Sequence, residues 1–249
     1  MITYLERYQE FAAAGYENTR VWVELTSLGQ EIRQEPLYSD ARSVARETML
    51  RARQNIETLI ERLKILEYQF LVPDQAWIQP DQDSIAALDS FEAQFGPLPL
   101  SLRMWYEEVG SVCLLGSHPT LSYYDTSMRG ATPFYSDPLV INPLSDPPLP
   151  FYIDLAFDWD QEEVTGPPYA VWLAPDAIHK ANLSGGGPTM LLVPNPAMDA
   201  PLISDQWEGV LFMNYLRECF QWGGFPGMKD SPDLASAELD FLSKDLLPL

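Results

Sequence analysis

Apolar positions recur with a helical period through much of the first 80 residues. Between Asp40 and Phe70 there is no Gly or Pro, and Met49, Ala52, Ile56, Leu59, Leu63, Leu66 and Phe70 recur at alternating steps of three and four. That spacing draws one apolar stripe along a helix. Ser39 or Asp40, following the turn at Pro36, is the expected N-cap, because a short polar side chain there accepts from free N–H groups of the first turn. Arg42, Arg46, Arg51, Arg53, Glu57, Glu61 and Arg62 fall on the other face and predict a solvated surface rich in ion pairs. Val21, Leu25, Leu28 and Ile32 predict an earlier helix, with another over Leu5 to Phe11. An antiparallel helical hairpin would bury both stripes. It either packs on the rest of the chain or dimerises. About three heptads are short for an independent coiled coil, which favours packing in cis.

Pro73 ends this region, and "PDQAWIQPDQD" reads as a connector. The expected organisation is a helical module over residues 1–78, an α+β domain over 79–229 and a C-terminal helix or tail over 230–249. "DSIAALDSFEAQFG" predicts a helix with Ile85, Leu88, Phe91 and Phe95 inward, stopped by Gly96-Pro97. Pro99 and Ser101 open a second helix that Gly110 closes. From 112 to 200 prolines separate short runs rich in aromatic and β-branched residues: "VCLLG", "PLVINPL", "FYIDLAF", "YAVWLA" and "TMLLVP". These are strand candidates. Ser204 or Asp205 then caps an expected helix with Trp207, Leu211, Tyr215 and Cys219 or Phe220 on its apolar stripe, ended by Gly223-Gly224. A last amphipathic helix is expected on Leu234, Leu239, Phe241 and Leu242.

Composition narrows the class. Hydrophobic residues make up 46% of the 249, which predicts a globular chain with a sizeable core. No apolar run approaches the roughly 18 residues of a membrane span. "MITYLERYQEF" carries early charges and no signal-peptide core, so a cytoplasmic protein is expected. Cys113 and Cys219 are the only cysteines and make no disulfide framework. In a cytoplasmic chain the Asn182-Leu183-Ser184 sequon has no glycosylation role. The net charge of −21 is uneven: residues 1–80 carry 12 acidic and 9 basic side chains, and residues 81–249 carry 24 and 6. The second part, at −18, repels nucleic acid and anionic membranes and attracts a basic protein. Solubility alone is the competing reading of that charge.

The stretch "SIAALDSFEAQFGPLPLSLRMWYEEVGSV" resembles the signature region of the Smi/Knr cell-wall-regulator family, the SUKH superfamily. The matching positions are Glu92, Gly96, Leu98, Pro99, Arg103, Tyr106 and Gly110, and the later order of strands and helix is similar as far as about residue 227. Val109 departs from the family, which often has Asn there. The resemblance implies helices against a central mixed sheet. It implies protein binding: many bacterial relatives are immunity proteins that neutralise toxins, often nucleases, while eukaryotic ones act in regulation. It does not cover the N-terminal helices.

Candidate chemistry is sparse. His118 and His179 lie 61 residues apart without metal-ligand spacing, and no metal or cofactor is assigned. Asp158, Asp160 and Glu162 begin like a calcium loop, but position six is Glu163 instead of Gly and position twelve is Tyr169 instead of Glu. The cluster reads as an acidic turn or as a patch for a cationic partner. Cys113 and Cys219 read as core packing, and no G-x-S-x-G elbow is present. "HKANLSGGGPTM" lacks the Lys of a P-loop and precedes a strand, so it reads as a glycine turn closed by Pro188, with Lys180 paired to a nearby carboxylate.

Three readings follow. The leading one is a protein-binding domain, plausibly an immunity protein facing a basic toxin domain. Its candidate contacts are Trp105, Tyr106, Tyr123, Tyr124, Asp158, Trp159, Asp160, Glu162 and Glu163, with Trp172 as a further aromatic anchor. The second is a regulatory or scaffolding protein, homodimeric through its N-terminal helices. The third is a hydrolase, which requires a pocket where His118 or His179 meets carboxylates.

Overall fold

The computed structural model describes residues 2–13, 19–121, 135–144, 148–150 and 167–249. The N-terminal part holds α1 (Tyr4–Ala13), α2 (Thr19–Ser27) and the long α3 (Leu37–Ile65). Strands β1 (Gln69–Phe70) and β2 (Trp77–Ile78) lead to α4 (Gln82–Phe95) and α5 (Leu100–Glu108). Next come β3 (Ser111–Cys113), β4 (Gly116–Ser117), β5 (Val140–Ile141), β6 (Leu149–Pro150) and β7 (Tyr169–Ala174). The short α6 (Ala177–Lys180), β8 (Thr189–Val193), α7 (Phe212–Gln221) and α8 (Ser236–Ser243) complete the described order. The class is α+β, with the N-terminal helices present. None of the described helices is long and apolar enough to cross a membrane.

The stripe of α3 is buried as its period requires: Met49, Ala52, Ile56, Leu59 and Leu63 have no exposed surface. The burial is in cis, against α1, α5 and α8. Asp40 sits inside α3 and caps a different helix, its carboxylate accepting from Tyr4 N at 2.7 Å and Leu5 N at 3.1 Å. The expected solvated face is partly an interface, because Arg42 pairs with Glu107 at 2.8 Å and Arg46 with Glu108 at 2.7 Å on α5. The expected boundary at 78/79 is no break in packing. Strand β2 pairs with β3, and both sides share one apolar core.

The strands correct the expectation of one central mixed sheet. All described pairings are antiparallel, in three small sheets ordered β1-β4, β2-β3-β5 and β6-β7-β8. Prolines such as Pro138, Pro143, Pro175 and Pro194 bracket the strands, and a residue without N–H cannot extend a ladder. Asn142 N donates to Leu173 O at 2.7 Å and ties the end of β5 to β7. The candidate "FYIDLAF" lies outside the described residues.

Helix α7 starts well after the expected cap at Ser204 or Asp205. Gly209 turns the chain at φ 73°, and Pro201 bridges to Leu211. The cap comes from afar: the Asp199 carboxylate accepts from Met213 N at 3.1 Å, and from Ser101 Oγ at 2.7 Å at the start of α5. Helix α8 buries Leu239 and Leu242 against α3, while Leu234 is exposed. Asn55 of α3 holds the tail by two bonds to the backbone of Leu247.

Candidate functional site

Two polar centres lie in the acidic part of the chain. The first is the corner between α4 and α5. Asp81 caps α4, accepting from Ser84 N at 2.8 Å, and the Ser84 hydroxyl accepts from Asp81 N in return. Gly96 ends the helix at φ 90°, where an added Cβ would sit 2.5 Å from Pro194 Cβ. The Glu92 carboxylate accepts from Leu98 N at 2.7 Å and pairs with Arg103. Arg103 also reaches Asp89 at 2.6 Å and Glu107 at 2.7 Å. Burial works against the guanidinium charge, but its hydrogen bonds to Asp89 and Glu107 and the fields of Glu92 and Glu107 raise its pKa. Gly110, at φ 90°, closes α5 where a Cβ would meet Ile78 O at 2.2 Å. Glu92, Gly96, Leu98, Arg103 and Gly110 are therefore parts of one built joint.

Tyr106 lies beneath that joint, and its hydroxyl donates to Asn142 O at 3.1 Å. Burial raises its pKa. Trp105 has no exposed surface and packs edge-on against Phe212, at 6.0 Å between ring centroids. Trp105 therefore has no surface to offer a partner, and Tyr106 keeps only 6% of its surface exposed. A nine-residue helix packed against both α3 and α7 turns its aromatics into the core. Trp172 faces outward and is 43% exposed. Tyr123, Tyr124, Asp158, Trp159, Asp160, Glu162 and Glu163 lie outside the described residues. Ile85, expected inward on α4, is exposed.

The second centre is the segment "HKANLSGGGPTM". It starts with the last two residues of α6, a helical turn missed by the strand-to-strand reading. Asp176 caps that turn, accepting from Ile178 N at 2.8 Å, His179 N at 3.2 Å and His179 Nδ1. Burial opposes the Asp176 charge, but the bonds from the His179 ring and the two backbone N–H groups outweigh it, and its pKa is lowered. Gly186 folds over this carboxylate at φ 74°, where a Cβ would lie 2.7 Å from Asp176 Cγ. The glycine has a packing reason.

Lys180 pairs with a carboxylate as expected: its Nζ lies 2.6 Å from Asp137 Oδ1, with side-chain exposures of 2% and 1%. Trp207 Nε1 donates to the other oxygen at 3.2 Å. Nothing in the local sequence marks Asp137, which is 43 residues away and in a left-handed conformation at φ 48°.

His179 is 47% exposed at its side chain and lines two cavities. One, of about 440 Å³, is shared with Phe70, Ser117 and Asn182, and the other, of about 380 Å³, with Trp172 and Pro188. With Nδ1 on Asp176, the neutral ring presents Nε2 as an acceptor. His118 is engaged elsewhere, its Nδ1 3.1 Å from Thr120 Oγ1. Among the described residues, no three His, Cys, Asp or Glu side chains group as metal ligands. Cys219 is buried, and burial pushes its thiol up; Cys113 is only half-buried on β3. No family model, curated protein or solved structure matches this chain.

Proposed function

We propose that this chain is a non-enzymatic protein-binding domain of the SUKH type, acting as an immunity protein that neutralises a bacterial toxin. One observation carries the reading. The residues that bear the resemblance converge on a single joint around Arg103, with Glu92 bonding both sides of the α4–α5 turn. The net charge of −18 over residues 81–249 suits a cationic partner such as a basic toxin domain. The test is co-expression with a toxin encoded by an adjacent gene. Restored colony growth is expected. Absence of any toxin gene nearby, or death of cells holding an excess of this protein, overturns the proposal.

The scaffolding alternative would have to use another face of the N-terminal helices, because Met49, Ala52, Ile56, Leu59 and Leu63 are covered within the chain. The hydrolase reading keeps one specific support. His179 meets a buried carboxylate on the wall of two cavities, and a carboxylate-held imidazole is the form a general base takes. That reading requires turnover of an activated ester such as p-nitrophenyl acetate, lost in His179→Ala. Equal rates for the two proteins refute it.

A further inference from the structure

A third cavity adjoins the first centre, whose Ser84, Tyr106 and Gly110 are among its lining residues. It opens between β2, the first half of α4 and the end of α5, holds about 190 Å³ and is lined by Ile78, Pro80, Ala87, Leu88, Tyr106 and Leu144. An apolar cavity of about 150 Å³ accepts a benzene ring. Three of the nearby polar groups already have partners. The Tyr106 hydroxyl donates to Asn142 O and the Ser84 hydroxyl to Asp81 O, and Gln79 Oε1 accepts from Arg53. What faces the opening is mainly apolar, and Ile78 at its mouth is 46% exposed.

The rim is charged. Asp83 stands one turn before Ala87 on the same helix face, and Asp81 caps that helix. Both are exposed, and among the described residues neither is in an ion pair. Arg53 approaches the same edge, donating to Gln79 Oε1 at 2.8 Å and lying 5.9 Å from the Trp77 ring centroid. An apolar socket with an unneutralised acidic edge is complementary to an apolar side chain flanked by cations.

We propose that this cavity is the socket for an anchor residue of the protein partner, a phenylalanine- or leucine-sized side chain presented between lysines or arginines. The inference rests on the protein-binding reading and adds where, and by what chemistry, the partner is held. Burying such a side chain distinguishes it from alanine by roughly tenfold or more in affinity.

The first probe is a five-residue peptide with a central phenylalanine and two lysines on each side, titrated against the full chain with the methyl signals of Ile78, Leu88 and Leu144 observed. Shifts at those methyls are expected. Binding should fall roughly tenfold or more with a central alanine, and should weaken with glutamates in place of the lysines. Ala87→Trp, an exposed position at the mouth, should abolish the shifts, and the double change Asp81→Asn and Asp83→Asn should reduce affinity while leaving the cavity open. Shifts confined to other methyls, equal binding of the alanine peptide, or full binding by Ala87→Trp overturns the proposal. Toxin rescue separates the two levels. If wild type and Ala87→Trp rescue equally, the socket is refuted and the protein-binding reading stands. If peptide enters the cavity but wild type rescues against no adjacent toxin, the immunity reading falls and the socket stands.

Discussion

The Arg103 joint and the Lys180–Asp137 pair are both ionic centres in the acidic part of the chain, but they are built from opposite materials. Arg103 draws its carboxylates from Asp89, Glu92 and Glu107, all within two consecutive helices, and Asp89 remains open to water. Lys180 reaches a carboxylate 43 residues away, and both groups are sealed from solvent. The first is a hub whose loss water can partly repair. The second has no such recourse, because a buried charge without its partner must be neutralised or pull the structure open.

That contrast can be broken by measurement. Lys180→Met should cost about 3–5 kcal/mol by urea denaturation, since it strands Asp137. Adding Asp137→Asn should recover most of the loss. Recovery of nothing would place the cost in packing rather than charge.

Asp199 sharpens the point through pH. Burial pushes its carboxyl up to about 6 against the bonds from Ser101, Met213 N and Ala200 N that favour the charged form. Below about pH 4 it is protonated folded or unfolded. Between about 4 and about 6 the folded state holds the proton more tightly, so this residue lowers stability as pH rises through that window, by about 3 kcal/mol once above it. Asp176, held low by His179, acts with the opposite sign at more acid pH: its contribution is lost as pH falls through its lowered pKa. Asp199→Asn should remove the loss between pH 4 and 6 and leave the more acid limb. A wild-type-like slope in the variant contradicts the assignment.

Arg103→Met should cost less than Lys180→Met, roughly 2 kcal/mol, because its partners are closer to water. A larger loss at Arg103 than at Lys180 would reverse the comparison. The glycine run holds the smallest expected effect, beside a larger one. Gly186→Ala should lose roughly 1–3 kcal/mol, combining positive φ with collision against the Asp176 carboxylate. Gly187→Ala, with open space around its Cβ position, should stay within about 0.5 kcal/mol. Equal melting temperatures for these two variants would remove the packing role given to Gly186.

The elements were legible where the information is local. The α3 stripe, the stops at Gly96 and Gly110 and the Lys180 pairing all appear in the structure, because each depends on period, on backbone freedom or on the need of a buried charge for a partner. The misplacements share one cause. Asp40 looks like the cap of its own helix and caps α1, Ser204 looks like the cap of α7 and Asp199 supplies it, and Trp105 looks like an anchor and is core. In each case a competing partner arrives from a distant part of the chain.

By itself, the sequence determined the helical period of the N-terminal region, the class of the fold and the acidic field, since these follow from spacing and composition. Only the tertiary structure decided that the N-terminal stripe is covered in cis, that Asp137 and Asp199 are the buried carboxylates, and that an apolar socket with an acidic rim opens beside α4. Those features are set by which surfaces meet, and packing joins residues far apart in the chain without leaving a local pattern.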